Sequence, residues 1–315
     1  MLSQTYPFFE VHIYDNASTQ ETENLVKELM AQDQRIFYYR HPKNIGAVKN
    51  FAFGLSKVKT PFFSFLSDDD ILLPHFYEEA LLGFSKYPEA YFSCTPVIET
   101  NKNGKIVNVK IQSWPDKELH TPPEGLYEMI PKHLDWMGIL FRTELRETIG
   151  NIDTEVKAID FDFLLRCSAQ FPYVVSRKPS AIFVQHPASY SQYAGLKVIW
   201  PSWQKIIQNI QGDPSLSIEL KKQALLLLEK ELQKKLFFAF VQGLKRKDIS
   251  DCKRTASVMK QHGKRALLAQ VLYTFAILFR ICPFLHGFLK GALFLRRKIK
   301  KEKRGLQKRF EMCLK

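Results

Sequence analysis

Residues 61–66 (Pro-Phe-Phe-Ser-Phe-Leu) constrain this chain more than any other stretch. They are apolar almost throughout and then stop abruptly at Ser67-Asp68-Asp69-Asp70. Successive side chains of a strand point to opposite faces, so a strand without polar alternation has to be covered on both sides. The neighbouring sequence supplies the covers. Residues 9–14 read as a strand that ends at Asp15-Asn16-Ala17-Ser18, a turn with the chemistry of a helix N-cap. A helix is predicted over 22–32, a strand over 35–40, a turn at Asn44-Ile45-Gly46, a helix over 47–55, a helix over 74–87 and a strand over 90–97. This strand–helix rhythm predicts an α/β fold: a Rossmann-like mixed, mainly parallel sheet flanked by helices. In such sheets ligands bind beyond the carboxyl ends of the strands. Both Asp15 and the Asp68–Asp70 cluster fall there.

Further along, a hairpin turn is expected at residues 101–104, residues 136–142 are apolar and end in a charge, a helix is expected over 158–170, and a strand over 173–184 with a proline in its middle. From about residue 196 helical patterns dominate, notably 218–244 and 248–262. We therefore expect a domain over 1–195 and a helical C-terminal region over 196–315. The apolar stretch 266–295 is interrupted by Arg280, Pro283, His286 and Lys290. It falls short of the about 20 uninterrupted apolar residues needed to span a bilayer. It reads either as a helical hairpin lying on a membrane or as a packing pair of helices.

Charge narrows the choice of partners. The chain carries a formal net charge of +14, and residues 290–315 hold eleven Lys/Arg against two Glu. A nucleic-acid protein more often carries its positive charge on the folded domain, interleaved with aromatics. A basic tail after an apolar segment fits an anionic membrane surface better, and no nucleic-acid partner is expected. The five cysteines form no C-x-x-C pair, which disfavours zinc and a disulfide framework. With no secretory pattern in the first residues, this suggests a cytoplasmic protein, peripheral on the inner face of the membrane.

Three consecutive aspartates repel one another, and each raises the others' pKa. A bound divalent cation removes that cost, and Mg²⁺ or Mn²⁺ favours carboxylate oxygens combined with phosphate oxygens. The alternative is a solvated turn capping the helix that follows.

The motifs themselves have a counterpart. Asn44-x-Gly46, Asn50 and Gly54, followed by residues 65–74 (Phe-Leu-Ser-Asp-Asp-Asp-Ile-Leu-Leu-Pro), resemble the family 2 glycosyltransferases of the GT-A fold. So do Gln4-Thr5-Tyr6 with Glu10, Asp15 and Ser18. The same holds for Trp136-x-Gly138, Phe141-Arg142, Ile149-Gly150-x-x-Asp153, Asp160-x-Asp162-x-x-x-Arg166 and His186-x-x-Ser189-x-Ser191. The resemblance covers residues 1–195 and implies an inverting transfer of a sugar from a nucleoside-diphosphate sugar to a glycan or lipid-linked acceptor. The usual setting is bacterial surface-polysaccharide synthesis. It also implies roles: Asp15 at the donor nucleobase, Asp68 and Asp69 at the ribose and metal, Asp70 as a further metal ligand, His186 near the diphosphate or metal, and Asp160 as general base. Ile159 stands where the family has Glu, and Ser67 occupies the first acid position of the commoner motif. Asp160 also sits where a helix dipole favours any acid. The chain begins just before the Gln-Thr-Tyr segment, so the family's first strand is expected to be missing. That leaves a second expectation open, a non-catalytic, membrane-associated binding module on the same fold.

Overall fold

The computed structural model describes residues 1–109, 114–185 and 196–262, together with Val271 and Thr274. Three expectations, His186 with its Ser-x-Ser sequel, the apolar stretch 266–295 apart from Val271 and Thr274, and the basic segment 290–315, lie outside these residues. The chain divides into two compact units, Met1–Leu232 and Gln233–Lys315.

The first unit opens with β1 (Val11–Asp15), α1 (Gln20–Gln32), β2 (Ile36–Arg40) and α2 (Ala47–Lys57). β1 and β2 pair in parallel, Val11 opposite Ile36 through Asp15 opposite Arg40, and form a two-stranded sheet of their own. Glu21 and Glu23 in the first turn of α1 suit its N-terminal dipole. Helix α2 starts at Gly46, whose φ of +85° is a conformation that a side chain would strain.

The apolar run becomes β3 (Phe62–Phe63) at one edge of a five-stranded sheet of order β3-β9-β5-β10-β8. It is followed by the acid turn, β4 (Ile71–Leu72) and α3 (Phe76–Lys86). The other members are β5 (Phe92–Cys94), β8 (Leu119–His120), β9 (Ile139–Arg142) and β10 (Tyr173–Val175). A four-stranded sheet, β4-β11-β6-β7, contains β6 (Val97–Asn101), β7 (Ile106–Val109) and β11 (Ala181–Gln185).

Two predicted strands, 90–97 and 173–184, are each broken in two, at Thr95-Pro96 and around Pro179. Their halves cross together from the five-stranded to the four-stranded sheet. β5 pairs with β10 in parallel before the breaks, and β6 pairs with β11 in parallel after them. A proline has no N–H for the ladder, so the strands change sheets where the ladder is already interrupted. Ser176 and Ser180 donate backbone N–H bonds to the carbonyls of Cys94 and Pro96 and hold the junction.

The mixed sheet flanked by helices matches the expectation, but its pairing is less parallel than the strand–helix rhythm suggests. Three pairings are parallel and five antiparallel among the described residues. Part of the excess comes from short returning strands such as β4 and β7, which follow β3 and β6 with no helix between them. Phe92, Phe141, Phe163 and Tyr173 are fully buried between the five-stranded sheet and the helices α4 (Glu124–Lys132) and α6 (Ile159–Gln170). On the other face α3 presses Phe76, Ala80 and Phe84 against Val174 and Leu140.

The short helix α5 (Leu145–Ile149) precedes α6, and α7 (Leu196–Gly212) packs with the first unit: Trp203 stacks on Phe161 at 5.3 Å. Helix α8 (Ile218–Arg246) runs into the second unit. There Phe240 and Gly243 meet Cys252 of α9 (Ile249–His262), whose thiol donates to the Phe240 carbonyl. Among the described residues no helix is long and apolar enough to cross a membrane.

Candidate functional site

The acid turn is built by the end of β3. Its chain leaves the sheet after Phe63, passes the buried Phe65, and folds back through a backbone bond from Asp70 N–H to the Ser67 carbonyl. The three aspartates then separate by environment. Asp68 and Asp69 are exposed at the tip, whereas Asp70 is buried at 8% exposure and accepts a long bond, 3.4 Å, from the Val184 N–H near the end of β11. Burial, reinforced by the negative charges of Asp69, Asp135 and Asp68 and partly offset by the Val184 N–H, pushes the Asp70 carboxyl up to about 7. β11 leads directly into His186.

Asp135 was not anticipated. It lies in the loop between α4 and β9, immediately before the 3₁₀ turn Trp136–Gly138. Trp136 fixes that loop beside the acid turn by stacking on Phe65 at 4.3 Å and packing on Phe51 at 4.8 Å. Gly138 permits the close approach, since a Cβ there would stand 2.6 Å from the Thr95 carbonyl oxygen. The only signal of Asp135 in the sequence is its place next to the tryptophan.

Asp160 stands in the first turn of α6, about one third exposed, with Oδ1 accepting the Phe161 N–H at 2.9 Å. Its Oδ2 lies 3.4 Å from Nε2 of His133, a second residue that sequence reasoning missed. Asp162, two residues on, is different. It is 2% exposed and its carboxylate is taken up by Arg166 Nε and Asn209 Nδ2, each at 2.8 Å. Arg166 also donates to the carbonyls of Ile149 and Asn151. This is a brace between α6, α7 and the loop after α5, and it marks Asp162 as a structural acid, whereas Asp160 is the more exposed of the two.

Asp15 is held by the protein on all sides. It is 5% exposed and receives the Ser18 N–H at 2.8 Å and the Tyr38 hydroxyl at 2.6 Å, with Arg40 Nε at 3.3 Å. Burial opposes its ionisation. The Tyr38 and Ser18 bonds and the Arg40 charge more than offset this, so its pKa falls below the ordinary carboxylate value. Asn44 and Asn50 tie the same corner together: Asn44 Oδ1 accepts from Asn16 and from the Gly46 N–H, and Asn50 donates to the Tyr14 carbonyl. The structure thus brings Asp68, Asp69, Asp70 and Asp135 into one electrostatic cluster, sets Asp160 beside His133, and keeps Asp15 on the separate two-stranded sheet.

A metal fits this cluster in a limited way. Among the described residues no group of three His, Cys, Asp or Glu could hold an ion unaided. Mg²⁺ and ions like it commonly use one or two carboxylates and take the remaining oxygens from substrate phosphates. A buried aspartate whose charge is costly, next to exposed acids, is the donor set such a shared site needs.

Comparison with known proteins agrees with this geometry. The family model for glycosyl transferase family 2 matches residues 1–139. An uncharacterized glycosyltransferase of Methanocaldococcus jannaschii is 22% identical over 166 residues, covering 51% of this chain and 54% of the relative. One from Rickettsia bellii is 31% identical over 107 residues, covering 34% of this chain and 15% of the relative. The chain thus matches about half of the first relative's length and far less of the second's. Among solved structures, residues 1–349 of Staphylococcus aureus TarS in complex with UDP superpose with a TM-score of 0.60 at 17% identity, covering 87% of this chain and 82% of that one. A mannosyltransferase from Pyrobaculum calidifontis in complex with GDP-Man and Mn²⁺ gives 0.50 at 13% identity, covering 89% and 74%. Residues 1–139 thus match the glycosyl transferase family 2 model, and the chain has an α/β fold of the GT-A type that continues into a helical C-terminal region.

Proposed function

We propose that this protein moves a sugar from a nucleoside-diphosphate sugar to a hydroxyl of a glycan or lipid-linked acceptor, with inversion at the anomeric carbon. The observation that carries the reading is the pairing of two half-sites by one loop. The negative charge of Asp135 is felt by the buried Asp70 of the acid turn, and His133, two residues earlier, lies 3.4 Å from Asp160. The family match supports the donor class, as do the UDP and GDP-Man complexes of structurally similar proteins.

In this reading the acid turn binds the donor's diphosphate, with Asp68 and Asp69 at the ribose and metal side and Asp69, Asp70 and His186 as the residues that would hold Mg²⁺ or Mn²⁺. The metal, when bound, neutralises the charge that builds on the departing diphosphate. Asp160 accepts the proton of the acceptor hydroxyl as that oxygen bonds to the anomeric carbon, while the bond to the diphosphate breaks on the opposite face. Asp15 shapes the nucleobase end through its hold on the β1–β2 corner. Residues 1–195 carry these parts. The basic 290–315 segment keeps the enzyme against an anionic membrane at its cytoplasmic face, the place of surface-polysaccharide assembly.

The test is release of nucleoside diphosphate from a panel of nucleotide-sugars with Mn²⁺ and a membrane extract as acceptor. The expected outcome is metal-dependent turnover of one donor, reduced at least ~100-fold in Asp160→Asn. A second reading, a binding module without turnover, is favoured by the separation of the β1–β2 sheet from the sheet that carries the acid turn. Metal-dependent nucleotide binding without turnover of any donor would select it.

A further inference from the structure

His133 caps the C-terminus of α4 with φ +23° and ψ 114°, a backbone conformation that residues with a Cβ rarely adopt. Such outliers are costly and persist where the surroundings over-determine them. Three contacts do so here. The His133 N–H closes α4 on the Met129 carbonyl, the imidazole packs edge-on against Phe161 at 5.1 Å, and Leu134, next in the chain, is 2% exposed. The result is a tight bend that brings His133 to Asp160, while the charge of Asp135, two residues on, acts on Asp70.

The imidazole is unusual in another respect. Its Nε2 is shut off from solvent and makes no well-formed hydrogen bond, yet it lies 3.4 Å from Asp160 Oδ2. A buried ring nitrogen without a bond is costly. Bonds between catalytic groups are often long without substrate and shorten when the site fills. Asp160 Oδ1 is already engaged by the Phe161 N–H, so an N–H from His133 on Oδ2 would fix the carboxylate plane from its other side.

Resting on the transfer reaction proposed above, we infer that His133 is a positioning residue for Asp160: its imidazole holds the base's carboxylate in the orientation that meets the acceptor hydroxyl. It does not touch the donor. Its removal should therefore lower kcat and leave donor recognition intact.

The experiment uses the full chain, with the donor that the wild type turns over, and compares wild type, His133→Ala, His133→Gln, Asp160→Asn and the double variant His133→Ala/Asp160→Asn. Transfer kinetics are paired with the thermal shift produced by Mn²⁺ plus UDP or GDP. The account expects kcat of His133→Ala to fall about 10- to 100-fold, because small misplacements of a reacting group cost rates of that order. Donor KM should stay within about twofold and the nucleotide shift should be unchanged. Glutamine, which keeps an N–H donor, should recover most of the loss. Adding His133→Ala to Asp160→Asn should cost nothing further, since both act on one carboxylate. Wild-type turnover in His133→Ala, no recovery with glutamine, or independent losses in the double variant each overturn the inference. Should alanine simply unfold the loop, visible as a lost nucleotide shift, the glutamine variant decides alone. A wild type with a nucleotide shift and no turnover overturns this inference and leaves the donor site standing. A wild type with neither sinks the functional reading itself.

Discussion

Replacing Asp70 by asparagine should stabilise the metal-free protein at pH 8 and leave it unchanged near pH 4. Asparagine keeps the acceptor for the Val184 N–H and removes only the charge. The folded-state pKa of about 7 lies above the ordinary aspartate value of 3.8, so between these values the folded protein binds more protons than the unfolded chain. Stability therefore falls as pH rises from about 4 to about 7, and the full penalty is present above that. At 1.36 kcal/mol per pH unit the displacement corresponds to about 4 kcal/mol. Water and relaxation around a carboxylate near the surface reduce this to about 2 kcal/mol. For a unit of this size that is about 4 °C in Tm. Differential scanning calorimetry in EDTA at pH 4, 6 and 8 should show the asparagine variant gaining on the wild type with each step. With Mn²⁺ and a nucleoside diphosphate the order should reverse, because only the wild type has the buried charge that a cation compensates. A variant that melts at or below the wild type at pH 8 without metal, or a difference independent of pH, refutes the reasoning.

Three further outcomes follow from the same structure. Asp162→Ala should cost about 3 kcal/mol in chemical denaturation, because it leaves Arg166 and Asn209 without their shared partner. It should not alter metal dependence. Asp15→Asn should flatten the loss of stability on acidification: the depressed pKa of Asp15 contributes stability above the ordinary aspartate range, lost as pH falls through the folded value, and urea titrations at pH 3 and 6 would show it. Removing residues 266–315 should abolish sedimentation with anionic vesicles, and unchanged sedimentation would refute the basic tail as the membrane contact.

Much of the fold was legible because its signals are local. The apolar run ending in three aspartates marks a strand end, and helices α2, α6, α8 and α9 lie within two residues of where periodicity puts them. The paired strand breaks were only half visible. Pro96 and Pro179 stand in the sequence, but nothing there says that the two breaks fall side by side. The site divides in the same way. Asp68–Asp70 and Asp160 announce themselves by type and place, whereas the burial that singles out Asp70 and saturates Asp162 depends on Val184 and Asn209, far off in the chain. His133 and Asp135 carry no periodic signal. They matter because Trp136 stacks on Phe65 and the α4 cap bends sharply, and both are facts of tertiary packing.

The central claim is a nucleotide site that depends on a cation and on the acid turn. Isothermal titration of UDP and GDP into the full chain, with Mn²⁺ or with EDTA, tests it most directly. The account predicts that one nucleotide binds with Mn²⁺, and that both EDTA and Asp70→Asn abolish the heat of binding. Equal binding in EDTA, or undiminished binding by the asparagine variant, contradicts it.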